Sequence, residues 1–265
     1  ALRSAMPLGA NDAMFVPALV MLLGHRQLKP LARQVLASGG DAFLDALVHF
    51  MKDPGENLWV RRHVPATLAA IPTQRSMDAL IVALEERDGF LRFKAVAAVE
   101  RLGRDRPGLT VQRAPVESLL RRETSRYHTY LTLRASVLRG DPRAHATLLV
   151  RALDDKLERT RDRTYRLLGL IYPWKDIAAA RYTLSRGDVR ARAAALEYLD
   201  NLFDSALRRR VLPMLDDTSI EEKVRQANAL LRTRPRALDD ALAQLVHDDD
   251  PVVASAAIHC AVELG

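Results

Sequence analysis

The chain has 265 residues, a net charge of +7 and a single cysteine, and only 5% of its residues are aromatic. Alanine, leucine and arginine, all strong helix formers, dominate, which argues against a β architecture, and the lone Cys260 excludes an internal disulfide framework. The most apolar stretch, residues 13–24, contains Pro17 and falls short of the roughly twenty residues a membrane-spanning helix needs. The chain therefore reads as soluble and cytoplasmic, with no segment inserted in a membrane.

Taken in order, the opening ALRS leads to no apolar core followed by a cleavage site, so no signal peptide is expected. From Lys29 onward a basic residue recurs at a near-constant stride: Lys29, Arg61, Arg92, Arg126, Arg161, Arg192 and Arg225, with Ala254 in the eighth place. The steps are 32, 31, 34, 35, 31, 33 and 29 residues, and a period in the thirties marks a stacked helical solenoid. Apolar residues travel with the stride. Val60, Val64, Leu68 and Ile71 surround Arg61; Leu91, Ala95, Val99 and Leu102 surround Arg92; Ala191, Ala195, Leu199 and Leu202 surround Arg192; Val253, Ala257, Ala261 and Leu264 surround Ala254. Offsets of this kind place them on one face of a helix.

Ahead of these helices lie apolar runs at 43–51, 77–84, 144–153, 177–184, 207–215 and 238–246. Each ends in a polar turn: KDPG at 52–55, EERDG at 85–89, DDK at 154–156, SRGD at 185–188, DDT at 216–218 and HDDDP at 247–251. Asp, Ser or Thr before an apolar stripe signals a helix N-cap, and Pro251 suits a first helical turn. The expected unit is helix, tight turn, helix, repeated about eight times in one continuous domain, 1–265. The fourth unit, roughly 105–139, departs from the pattern: its approach RDRPGLTVQR is long, and it reads either as a loop projecting onto a binding face or as a degenerate repeat.

The motif DGFLRFKAVAAVERLG at 88–103, echoed by DVRARAAALEYLDNL at 188–202 and DPVVASAAIHCAVELG at 250–265, resembles the HEAT-repeat family, in particular the short bacterial repeats found in phycobilisome lyases. The resemblance covers nearly the whole chain and implies a right-handed α-solenoid, a HEAT-like superhelix of about eight antiparallel helix pairs. A narrower resemblance, carried by LLGLIYPWKD at 167–176, ALEYLDN at 195–201 and RRRVLPML at 208–215, is to the soluble HEAT region of bacterial ATP/ADP-translocase-like transporters. It implies a cytosolic regulatory part at the inner face of a membrane, tethered to a membrane domain. The absent initiator Met and the unpartnered last stripe lead us to expect a fragment of a longer protein, with a homodimer through that end as the competing account.

Function is sought in the charge. Residues 101–170 carry 16 basic against 8 acidic side chains, whereas the flanking segments are nearly balanced. The candidate partner-binding residues are Arg121, Arg122, Arg126, Tyr130, Arg134, Arg161, Arg163 and Arg166. Arginine interleaved with aromatics suits phosphates and bases, while the recurrent Arg of each unit also suits a structural ladder to the Asp-rich turns. No catalytic, metal or cofactor site is expected: the seven histidines lack metal-motif spacing, and neither phosphate-loop nor nucleophile-elbow motifs occur. Asp248, Asp249 and Asp250 read as capping residues and Cys260 as a buried small hydrophobe. Some HEAT-like proteins are alkylpurine DNA glycosylases that hold a lesion with Trp and Asp; here Trp59 and Trp174 stand at helix starts and read as packing residues. The leading expectation is a non-catalytic scaffold for a protein or acidic segment. The alternatives are nucleic-acid binding through the central arginines and a glycosylase.

Overall fold

The computed structural model describes residues 13–86 and 88–264. The readings of the opening ALRS, of Arg87 in the EERDG turn and of Gly265 fall outside them. Among the described residues the chain is all-α, with fifteen α-helices and four short 3-10 segments. Two compact units divide it. The first takes the residues up to Leu119 and Arg166–Trp174; the second takes Leu120–Tyr165 and Lys175 onward.

The first unit holds α1 (Val16–Met21), α2 (Lys29–Ser38), α3 (Asp41–Lys52), α4 (Leu58–Arg61), α5 (Val64–Leu68), α6 (Gln74–Val82) and α7 (Gly89–Asp105). The turn between α2 and α3 is two residues long. Gly40 there has φ +55°, and a Cβ on Gly39 would lie 2.1 Å from the Phe43 ring, so both places demand glycine. Asn57, Thr73 and Asp88 cap α4, α6 and α7 through side-chain acceptors. Helices pack on their chain neighbours and also one pair onward, α3 on α5 and α6, and α5 on α7. This two-row stacking is the packing of a helical repeat. Its core is Phe43, Leu47, Met51, Val64, Leu68, Met77, Leu80, Leu91, Ala95 and Val99, all buried.

One expected helix is broken. The Arg61 helix divides into α4 and α5 because Pro65 has no N–H to give the Arg61 carbonyl and its ring crowds that group. The apolar stripe survives the break: Val60, Val64, Leu68 and Ile71 are all buried. The irregular approach at 106–112 is pinned to α6, since the Gln74 amide donates to the Thr110 carbonyl and accepts from its N–H, both at 2.9 Å.

Two helices, α8 (Arg113–Gly140) and α9 (Leu148–Ile171), replace the fourth and fifth expected units. The DDK segment at 154–156 is not a turn; it lies inside α9. Leu149, Leu153, Leu157, Thr160, Thr164 and Leu168 form one unbroken buried stripe across it, so a turn there would throw half the stripe out of register. Within the second unit, Glu123 pairs with Arg163 and Arg134 with Asp154, which fixes α8 and α9 as antiparallel. The eight expected hairpins thus reduce to seven pairs among the described residues, with α4 and α5 together as one member.

The second unit continues with α10 (Trp174–Arg186), α11 (Val189–Leu202), α12 (Ser205–Leu215), α13 (Ile220–Leu231), α14 (Leu238–Val246) and α15 (Pro251–Leu264). Asp188, Asp204 and Ser219 cap α11, α12 and α13. α11 packs on α12, α12 on α13 and α14 on α15. On α15 the inward residues are Val253, Ala257 and Cys260, while Val252, Ile258 and Val262 are exposed. Burial pushes the Cys260 thiol above its ordinary pKa, which keeps it protonated and inert.

Candidate interaction surface

Most of the eight expected partner-binding residues face carboxylates of their own unit. Arg126 and Tyr130, one turn apart on α8, both reach the 247–250 turn. Arg126 donates to the two Asp249 oxygens at 2.8 and 3.1 Å, and the Tyr130 hydroxyl donates to Asp248 at 3.0 Å. Burial and the Asp248 carboxylate push the Tyr130 phenol up to about 12. Arg134 bonds Asp154 at 2.6 Å, and Arg163 bonds Glu123 at 2.8 Å, a carboxylate only 5% exposed. Arg161 pairs with Glu158 on its own helix. Arg166, which belongs to the first unit, pairs with Glu100 at 3.2 Å and lies over the Phe93 ring. Arg121 and Arg122 are exposed.

The aspartate triplet caps and docks at once. Asp250 accepts from the Val252 N–H at 2.8 Å, starting α15, and pairs with Lys156. Burial pushes its carboxyl up, but Lys156 and the Val252 and Val253 amides outweigh that and hold it below its ordinary value. The arginine ladder forms in part. Arg61, 7% exposed, donates to the Met51 carbonyl at 2.8 Å and to Glu86 at 3.2 Å; Arg92 donates to the Glu86 carbonyl; Arg192 pairs with Asp217. Arg161 and Arg225 instead pair within their own helices, and Arg126 reaches the last turn.

Two other features of the second unit stand open. A groove of about 660 Å³ lies between α8 and α13. It is lined by the apolar Ala135, Leu138, Val224 and the exposed Ile220 and by the charged Arg134, Arg139, Arg225 and Glu221. The second feature is Arg210, whose guanidinium donates to the Ser125 hydroxyl at 3.1 Å. Burial and the charges of Arg121 and Arg209 hold it below its ordinary pKa. Among the described residues Arg121, Arg209 and Arg210 make no ion pair with a carboxylate.

In the first unit, the charges of Lys29 and Arg33 of α2 and Lys94 of α7 act on His63, which with Arg62 joins α4 to α5. Burial, then those three charges, bring the His63 pKa down to about 4. The Trp59 ring meets His63 edge-on at 5.0 Å and is 54% exposed, so it is not the packing residue its helix-start position suggests; Trp174 is 47% exposed, with Arg104 over its ring. A count over residues 1–100 hides this cluster in a balanced total. The local signal is residues 13–40, which hold Arg26, Lys29 and Arg33 and no carboxylate at all.

No group of three or more His, Cys, Asp or Glu side chains among the described residues has metal-binding geometry. No known protein family and no curated protein matches the chain. Among solved structures, a designed armadillo repeat protein, YIII(Dq)4CqI, is similar at 16% identity and a TM-score of 0.24, over 94% of this chain and 100% of its own. The helical-repeat fold stands on the helices and their packing.

Proposed function

We propose that the chain is a non-catalytic, HEAT-type binding scaffold that seats an acidic protein segment in the groove between α8 and α13. One observation carries this reading: the apolar Ala135, Leu138, Val224 and Ile220 line the same groove as Arg134, Arg139 and Arg225, and of these arginines Arg139 has no carboxylate partner among the described residues. Such a groove accepts leucine-like side chains in its floor and carboxylates at its edge, the division of labour of peptide recognition by an apolar seat with a charged rim. The exposed Arg121 and Arg122 extend the attraction by long-range steering, which falls with salt. The HEAT assignment is supported by the stride and by the Arg61, Arg92 and Arg192 contacts to neighbouring turns.

The finer reading, a cytosolic regulatory part of a nucleotide-translocase-like transporter, is supported by the LLGLIYPWKD resemblance, and a gene encoding several apolar spans ahead of this segment is its test. The binding reading is tested by fluorescence anisotropy with a labelled peptide alternating Glu and Leu. Arg139→Glu with Arg225→Glu should weaken binding by about tenfold or more, the loss of two rim charges at close range. Equal affinity of the double variant and the parent would remove the groove from function.

A further inference from the structure

Cations of the first unit gather along one row of the stack, α2, α5 and α7, in which α2 packs on α5 and α5 on α7. Lys29 and Arg33, four residues apart on α2, share a face, His63 follows between α4 and α5, and Lys94 and Arg101 lie on α7. Arg33 and Arg101 are near enough for their charges to act on one another, and Lys29, Arg33 and Lys94 all act on His63. Among the described residues, Lys29, Arg33 and Lys94 make no ion pair with a carboxylate, and Arg101 has only Asp105, one turn along its own helix. Like charges gathered without counter-charges are held at a cost, which a bound anion relieves. Two buried ring or guanidinium nitrogens, Nε of Arg33 and Nε2 of His63, have no hydrogen-bond partner, an arrangement folded proteins rarely keep without reason.

Aromatic rings alternate with these charges. Trp59, 54% exposed, abuts His63, and Lys94 and Arg62, the latter held by Asp88, lie 5.0 and 5.1 Å from the centre of the Phe90 ring, which is 44% exposed. An acidic peptide would use the cations alone. Cations beside half-exposed rings suit a ligand that carries both phosphates and flat bases, and only unpaired bases present a face for stacking.

We propose that this face of the first unit binds single-stranded nucleic acid, with Lys29, Arg33 and Lys94 gripping phosphates and Trp59 and Phe90 stacking on bases. The site involves residues of the first unit only. It differs from the arginine-rich centre, whose cations are largely paired, and it does not depend on the α8–α13 groove, so either assignment fails without the other.

The experiment is fluorescence anisotropy of a labelled oligothymidine of about 16 nucleotides with the whole chain, between about 50 and 200 mM salt. Lys29→Gln with Lys94→Gln should lower affinity by about tenfold or more and make the salt slope shallower by about 1.4, the share of two phosphates on a single strand. Trp59→Ala, at an exposed position, should cost about fivefold or more, the loss of one stacked base. In the unaltered chain, NMR titration of the His63 ring should show its pKa rising from about 4 on addition of the oligonucleotide, because phosphate offsets the surrounding cations. Absent binding at about 50 mM salt would overturn the proposal. So would equal affinity for polyglutamate of the same charge, which would make the partner an acidic protein, or a His63 pKa unmoved at saturation.

Discussion

Arg61 shows how one residue ties two turns together. Its Nε–H serves the Met51 carbonyl and its Nη2 serves Glu86, and the side chain is nearly sealed from water. Arg61→Met keeps the volume and removes both donors, leaving a carbonyl and a carboxylate poorly satisfied. Urea denaturation should show a loss of about 2–4 kcal/mol, whereas Arg225→Met, at an exposed pair, should stay within about 0.5 kcal/mol. His63 offers the opposite case, a group penalised for charging. Its folded pKa is about 4, against about 6.5 in the unfolded chain, so as pH falls below about 6.5 the unfolded state takes up the proton first. Stability on this account is highest above that value, declines down to about pH 4, and levels off below it. His63→Gln should flatten that part of a denaturation-midpoint profile; an unchanged slope would show that His63 is not its source.

Along the elements, what the sequence displays is clearest where a turn carries Gly, Pro or a capping side chain. Asp88, Asp188 and Asp250 cap the helices that their motifs announce, and KDPG, SRGD and HDDDP each separate two helices. The DDK segment fails because its aspartates have other work: Asp155 pairs with Arg159 one turn on, and Asp154 receives Arg134. The unbroken stripe from Leu149 to Leu168 was readable beforehand and outweighs two acidic residues. Asp155→Pro should therefore cost about 3 kcal/mol or more, as in any helix interior, when a true turn would accept it; chemical denaturation separates the two. The small residues of the seams differ in the same way. Ala95 is fully buried and Ala195 only partly, so Ala95→Leu should overpack by about 1–3 kcal/mol and Ala195→Leu by less, measured as paired melting curves.

At the scale of the whole molecule, an excess of charge does not say which cations are free. The centre has 16 basic and 8 acidic side chains, yet most of its arginines are engaged by carboxylates, some within their own helix and some far away in sequence, as Arg126 is by Asp249 and Arg166 by Glu100. Partners separated by 123 or 66 residues depend on how the helices fold together, which local composition does not encode. The open charge is instead at Lys29, Arg33 and Lys94, in a stretch whose balanced total conceals it, and at Arg121, Arg209 and Arg210. The central claim is that most cations of the basic middle hold the fold, and that binding is left to the few they leave unpaired and to the first unit. Equilibrium urea unfolding of Arg163→Met tests it most directly, since Glu123 is then stranded at 5% exposure. The account predicts a loss of about 3 kcal/mol or more; an unfolding free energy unchanged within about 0.5 kcal/mol would contradict it.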